Sequence, residues 1–181
     1  DGRPVRTAGF SKLRGIRPGG AERFLTVAKG LADIAWDCDY VFIHDCARPL
    51  IDQGTLRRLY ESVASGISCA AAVPAKDTIK IAGPDGFVVR TPDRSSLWIV
   101  QTPQAFAKDR IAEACRRALA DREGCTLYGV TITDDAMIAE QTLGEKVRMV
   151  MGSYRNIKVT TPEDLAVAEA LLAEADAASR I

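Results

Sequence analysis

The chain has a single histidine, His44, in 181 residues, and no serine, cysteine or carboxylate stands with it in a plausible triad. It has no internal repeat and no apolar stretch of the length that crosses a bilayer. Cysteine is scattered: Cys38, Cys46, Cys69, Cys115 and Cys125 form no CxxC pair and are odd in number, which argues against a disulfide framework or a zinc site and fits a reducing cytosol. Neither sign of charge is in excess, with 24 Lys and Arg against 24 Asp and Glu. Global charge therefore points neither to nucleic acid nor to a membrane, and any anion must be met by locally gathered cations. The opening DGRPVRTAGF is not a Met start and lacks the apolar core of a signal peptide. What remains is a composition, 47% apolar and 27% charged, ordinary for one soluble domain with its own core.

Apolar residues at helical spacing predict a helix over residues 22–36, leading into a strand at residues 40–44. Asp52 reads as the N-cap of a helix that carries Leu56, Leu59, Tyr60 and Val63 and stops at Gly66. The small residues of SCAAAVP suit a buried strand, which completes a βαβ unit. DTIKIAGPDGFVVRT then reads as a hairpin, residues 78–82 against 87–91, whose apolar side chains need a cover such as a second chain. Further expectations are a strand at residues 97–101, a helix at 106–120, a helix after Thr133 as its cap, strands at 147–151 and 157–159, and a final helix opened by Thr161 and Pro162.

One stretch concentrates chemistry. In VFIHDCARPL three β-formers without polar alternation are followed at once by His44, Asp45 and Arg48. Ligands of open α/β sheets bind beyond the carboxyl ends of strands, so an acid and a guanidinium are well placed there.

The ordered series GGAER, HDCARP, KDT, DRSSLW, QTPQAF, TITDDA and NIKVTTPEDL resembles the 2-C-methyl-D-erythritol 4-phosphate cytidylyltransferases of the non-mevalonate isoprenoid pathway, across residues 19–172. The resemblance implies a reaction in which a sugar-alcohol phosphate attacks the α-phosphorus of CTP and pyrophosphate leaves. A phosphate monoester is already largely ionised near neutrality, its second pKa being about 6, so no general base is required and the scarcity of histidine is no obstacle. The requirement is to gather mutually repelling anions, a task for Mg²⁺ or another divalent cation, Lys, Arg and backbone donors.

Carried over residue by residue, the resemblance implies Asp45 as metal ligand and Lys158 as a cation near the phosphates, the two catalytic positions. It implies Arg48, Thr78, Arg94, Thr102 and Thr133 on the polyol phosphate, and Gly19, Gly20, Thr26 and Cys46 on the nucleotide. Thr78 and Arg94 match an extended arm, about residues 76–103, that reaches the neighbouring subunit of a homodimer. His44 reads as structural, and Asp134 and Asp135 as first-turn acids. There are departures. Ala21 replaces a polar residue of many members, Tyr154 and Arg155 stand where some members place a second acid, and nothing before Gly19 matches the Gly-rich triphosphate loop.

The expected fold is a three-layer, Rossmann-like α/β nucleotidyltransferase domain over residues 1–181, N-terminally incomplete, with a mostly parallel sheet and a protruding β-arm. The expected partners are CTP, a polyol phosphate and a second copy of the chain, with no nucleic acid or membrane, in the cytoplasm. Ribitol 5-phosphate is the rival acceptor, and a non-catalytic, dimerising nucleotide-binding domain the rival class.

Overall fold

The computed structural model describes residues 9–123 and 126–178. Cys125 and the stretch before Gly9 lie outside the described residues. In chain order the elements are α1 (Arg23–Ala32), β1 (Tyr40–Ile43), α2 (Gln53–Ala64), β2 (Cys69–Pro74), β3 (Ile81–Ala82), β4 (Val88–Arg90), a 3₁₀ turn (Arg94–Ser96), β5 (Trp98–Ala107), α3 (Lys108–Asp121), β6 (Thr126–Leu127), β7 (Val130–Thr131), α4 (Asp135–Leu143), β8 (Arg148–Met151) and α5 (Pro162–Ala178). No described helix is long and apolar enough to cross a membrane.

The main sheet runs β1-β5-β2-β8, and its directions overturn the expected mostly parallel arrangement. β5 is antiparallel to both of its neighbours, and only β2 and β8 pair in parallel. The cause is the hairpin β3/β4. A helical crossover after β2 would have returned the chain in the same direction. Instead the chain leaves the sheet at Pro74, forms the hairpin, and re-enters at Trp98 directly opposite Pro74, so β5 retraces β2 backwards. β1, β2 and β8 still point the same way, with β5 inserted between the first two.

β5 is also twice the expected length, ten residues, because the strand runs on through QTPQAF to Ala107, past Phe106, where the helix was expected to begin. Pro103 has no N–H for the ladder, and the β2/β5 register shifts between Ala70 and Ala72 opposite it. Residues 157–159 form no strand; Val159 instead donates its N–H to Ala47 O at 2.8 Å.

Successive residues of a strand point to opposite faces, and β5 shows the consequence. Phe106 packs with Phe24, Ile111, Ala114 and Ile138 of the helices α1, α3 and α4. Its neighbour Ala105 packs with Leu59, Val63, Cys69 and Val150 on the α2 side. Ala70, Ala71 and Ala72 are completely buried, so small side chains in β2 let the layers close on it. The helix ends follow local chemistry. Asp52 caps α2 by accepting from Thr55 N at 2.7 Å, and Gly144 ends α4 in the left-handed conformation at φ 63°. Asp134, not Thr133, caps α4, accepting from Met137 N at 3.0 Å.

Candidate active site

Where β1 ends, the chain turns and is stapled to the segment after β8. Arg48 Nη1 donates to Asn156 O at 2.8 Å, beside the Val159 to Ala47 bond. Asn156 is fully buried, and its side-chain Nδ2 donates to Thr102 O at 2.9 Å, so one residue, through its backbone carbonyl and its side chain, ties three chain segments together. His44 supplies the inner bracing. Arg48 O can only accept, so His44 Nε2, 3.0 Å away, carries the proton. Nδ1 then accepts the Thr102 hydroxyl at 3.0 Å, and Thr102 Oγ1 in turn accepts Asp45 N–H at 2.9 Å. Thr102, expected on the substrate, thus spends its proton on His44 and retains one lone pair.

This bracing presents Asp45 among cations. Arg23 Nε donates to Asp45 Oδ1 at 3.0 Å, and Lys158 Nζ lies 3.4 Å from Oδ2. Burial raises the Asp45 carboxyl, but Arg23 and then Lys158 outweigh it and hold the group below its ordinary value. Arg48 is pulled below the usual arginine value by burial and partly restored by Asp45, and its buried Nε has no partner. Arg23, Asp45, Arg48, Thr102, Thr133 and Lys158 share a cavity of about 300 Å³ with Gln104 and Asp134.

Several expected residues lie elsewhere. Gly19, Gly20, Thr26 and Cys46 are outside the lining of this cavity. Gly20 is demanded by space, since a Cβ there would sit 2.4 Å from Leu25 Cβ. Thr26 Oγ1 accepts Gly20 N–H at 2.9 Å and bonds Glu22 O at 3.2 Å, which shapes the loop at the start of α1. Cys46 is an exposed free thiol. Thr78 and Arg94 are exposed on the arm, where Arg94 Nη1 donates to Lys76 O at 2.9 Å. Tyr154 and Arg155 have bracing contacts: Tyr154 donates its hydroxyl to Pro74 O at 2.8 Å beneath the Lys76 ammonium, and Arg155 pairs with Glu174 at 2.8 Å.

The sequence reading missed Asn156 and Gln104 and underused Arg23 and Asp135. Gln104 Oε1 accepts the N–H groups of Asp135 and Ala136 at 3.1 and 2.9 Å, while its Nε2 donates to Asp134 at 2.8 Å, fixing the start of α4 against the sheet. A signal was present, since NIK and QTPQ were both in the motif series.

Among the described residues no group of three or more His, Cys, Asp or Glu side chains is placed to hold a metal. Of the two carboxylates at the cavity, Asp134 is engaged by Gln104 and Met137 N–H, which leaves Asp45, hemmed in by cations, as the donor. That set suits Mg²⁺ delivered with a polyphosphate, because Mg²⁺ keeps its waters and takes one or two carboxylates plus substrate phosphates. It does not suit a bare ion.

Cations gathered about a strand-end carboxylate, on a sheet with helices at both faces, suit the handling of a nucleoside triphosphate by a nucleotidyltransferase. The family model for 2-C-methyl-D-erythritol 4-phosphate cytidylyltransferase matches residues 10–174. The chain belongs to that family. It is 46% identical over 168 residues to the 2-C-methyl-D-erythritol 4-phosphate cytidylyltransferase of Pelotomaculum thermopropionicum, covering 93% of this chain and 67% of that protein. Among solved structures it is similar to the 4-diphosphocytidyl-2C-methyl-D-erythritol synthase of Anaerococcus prevotii, with TM-score 0.79, 30% identity, and 94% and 77% of the two chains covered. The cytidylyltransferase of Thermus thermophilus gives TM-score 0.72 at 31% identity, with coverage of 90% and 77%.

Proposed function

We propose that the chain carries out the reaction for which its family is named, joining CTP to 2-C-methyl-D-erythritol 4-phosphate and releasing pyrophosphate. The observation that carries this reading is the gathering of Arg23, Arg48 and Lys158 about Asp45 in one cavity at the end of β1. The acceptor phosphate is already an anion and needs no proton removed. What the chain must do is hold two anions in line against their repulsion. Arg48, through its unpartnered Nε, and Lys158 bind phosphate oxygens at the cavity. Asp45 holds Mg²⁺ that comes with the nucleotide, and the ion supplies neutralisation of charge on the phosphate oxygens. Thr133 and the remaining lone pair of Thr102 orient the polyol phosphate. Gly19, Gly20, Thr26 and Cys46 form the nucleotide side.

Thr78 and Arg94 act in a neighbouring subunit. In support, the arm that bears them carries Phe87, Val88 and Val89 at 76, 57 and 69% exposure, an apolar surface that a second copy would cover. Residues 1–181 then form one domain with a dimerising arm at about 76–103. The free thiols of Cys38, Cys46, Cys69 and Cys115 support a reducing, cytoplasmic setting.

The test is pyrophosphate release by the full-length protein from CTP and Mg²⁺, with 2-C-methyl-D-erythritol 4-phosphate or ribitol 5-phosphate as acceptor. Release with the first at a kcat/KM at least about tenfold above the second is expected. Release with ribitol 5-phosphate alone would reject the assignment of the acceptor, and release with neither would reject the reaction.

A further inference from the structure

Of the three cations around Asp45, Arg23 alone is held from two sides. Its Nε donates to Asp45 Oδ1 at 3.0 Å and its Nη2 pairs with Asp135 Oδ2 at 2.8 Å. The Asp135 side chain has no exposed surface, and neither of its oxygens has a hydrogen-bond partner, so the contact with Arg23 is an ion pair. A carboxylate taken out of water is kept only where something compensates. Favouring the positive end of α4 is insufficient as a reason, because Asp109, in the first turn of α3, meets that need with its side chain 95% exposed. Gln104 adds to the case. It clamps the backbone N–H groups of Asp135 and Ala136, so the buried carboxylate is held at a fixed position opposite the guanidinium.

We propose that Asp135 is a positioning residue that divides Arg23 between two carboxylates, so that Arg23 does not lock onto Asp45 and Asp45 stays open to the cation that arrives with the nucleotide. This rests on the reading of Asp45 as a metal-holding residue. A guanidinium offers five N–H donors in a planar fork, and two different nitrogens serve the two acids. When Asp45 engages the cation, Arg23 remains tethered by Nη2 to Asp135, and its released Nε is available to a phosphate oxygen at the cavity. Without the second acid the whole fork is free to turn onto Asp45, and arriving Mg²⁺ must displace a full bidentate pair.

The readout is the factor by which Mg²⁺ tightens CTP binding to the full-length protein, measured by calorimetry with CTP in the presence and absence of Mg²⁺. In Asp135→Asn that factor should fall about tenfold while metal-free CTP affinity stays within about twofold, whereas a merely structural role would lower both. The double variant Arg23→Gln/Asp135→Asn removes both charges together, leaves no buried charge unpaired, and should recover the Mg²⁺ factor while weakening metal-free binding. Asp45→Asn should abolish the factor. If Asp45→Asn retains it, the metal reading fails and the inference with it. If Asp45→Asn abolishes it while a folded Asp135→Asn keeps the parental value, or if the double variant recovers nothing, Asp135 does not act through Arg23 and the inference is overturned. Should Asp135→Asn alone melt below the assay temperature, the double variant still decides.

Discussion

The end of β1 and residues 76–97, the part of the arm outside the main sheet, are built on opposite terms. At the strand end, polar groups are buried and bonded to one another, with Asn156 Oδ1 and Arg48 Nε left unpartnered: His44, Thr102, Asn156 and Gln101 bond one another and the backbone, and hold Asp45 in position. On the arm, apolar groups are exposed, and the two short strands pair only with each other. Where the arm meets the body it is firmly fixed, by Lys76 over the Tyr154 ring at 3.6 Å and by Ala75 N donating to Leu97 O at 2.9 Å. The strand-end residues are therefore held by neighbours in their own chain, whereas the arm's apolar side chains have no cover among the described residues. Functional residues in the first region answer to their neighbours, and in the proposed dimer those in the second answer to a partner.

The largest break in this comparison is Asp45→Asn. It preserves shape and the Thr102 contact to the backbone N–H, and removes the charge between Arg23 and Lys158. Turnover of the full-length protein should fall about 10²- to 10³-fold with little change in melting temperature, measured by pyrophosphate release and circular dichroism. A comparable fall in thermal stability would move Asp45 from chemistry to framework.

Complementation tests the arm. If Arg94 serves the partner's site, a dimer of one Asp45→Ala chain and one Arg94→Ala chain collects both defects in one site and leaves the other intact. Random mixing makes about half the dimers mixed, so activity should return to roughly a quarter of the parent after subunit exchange. A mixture as inactive as its parents, with exchange verified, would tie Arg94 to its own chain or to no site.

The two regions also differ in how far the sequence disclosed them. HDCARP was legible because polar residues begin abruptly after an apolar strand, and the hairpin was legible from its turn residues, although β3 and β4 are shorter than the alternation suggested. The direction of β5 was not legible. Sequence patterning shows which residues are buried, while direction depends on where the chain re-enters the sheet. Nor was the Asp45–Arg23–Asp135 bridge: its members come from three separate elements, and only folding shows that a first-turn acid of α4 is fully buried against a guanidinium.

A smaller break lies at Asn156. Replacing it with Ala removes the donor to Thr102 O and leaves a buried carbonyl unsatisfied. The cost should be about 1–3 kcal/mol in urea unfolding. Because Lys158 is only two residues on, turnover should fall as well, whereas cutting back Phe87 at the arm tip should leave monomer stability unchanged. Equal effects at the two positions would erase the distinction between a braced floor and an uncovered arm.

The smallest expected effect belongs to a position in neither region, and it calibrates the others. Asp52 caps α2 by accepting Thr55 N at 2.7 Å and the Thr55 hydroxyl at 2.6 Å. Burial raises its carboxyl, but the Thr55 hydroxyl and N–H, with Arg58, more than reverse this and leave it below the ordinary aspartate value. A carboxyl whose folded pKa is depressed favours the folded state only while ionised. Its contribution is therefore fully present above the unfolded value, about 3.9, and disappears as pH falls through the lower folded value. Asp52→Ala should cost about 1 kcal/mol at neutral pH, the usual worth of an N-cap. The gap between parent and variant in urea unfolding should close as pH falls below about 3.9, with pyrophosphate release at neutral pH unaffected. A gap that persisted unchanged through that range would show that Asp52 stabilises α2 by packing, not as a charged cap.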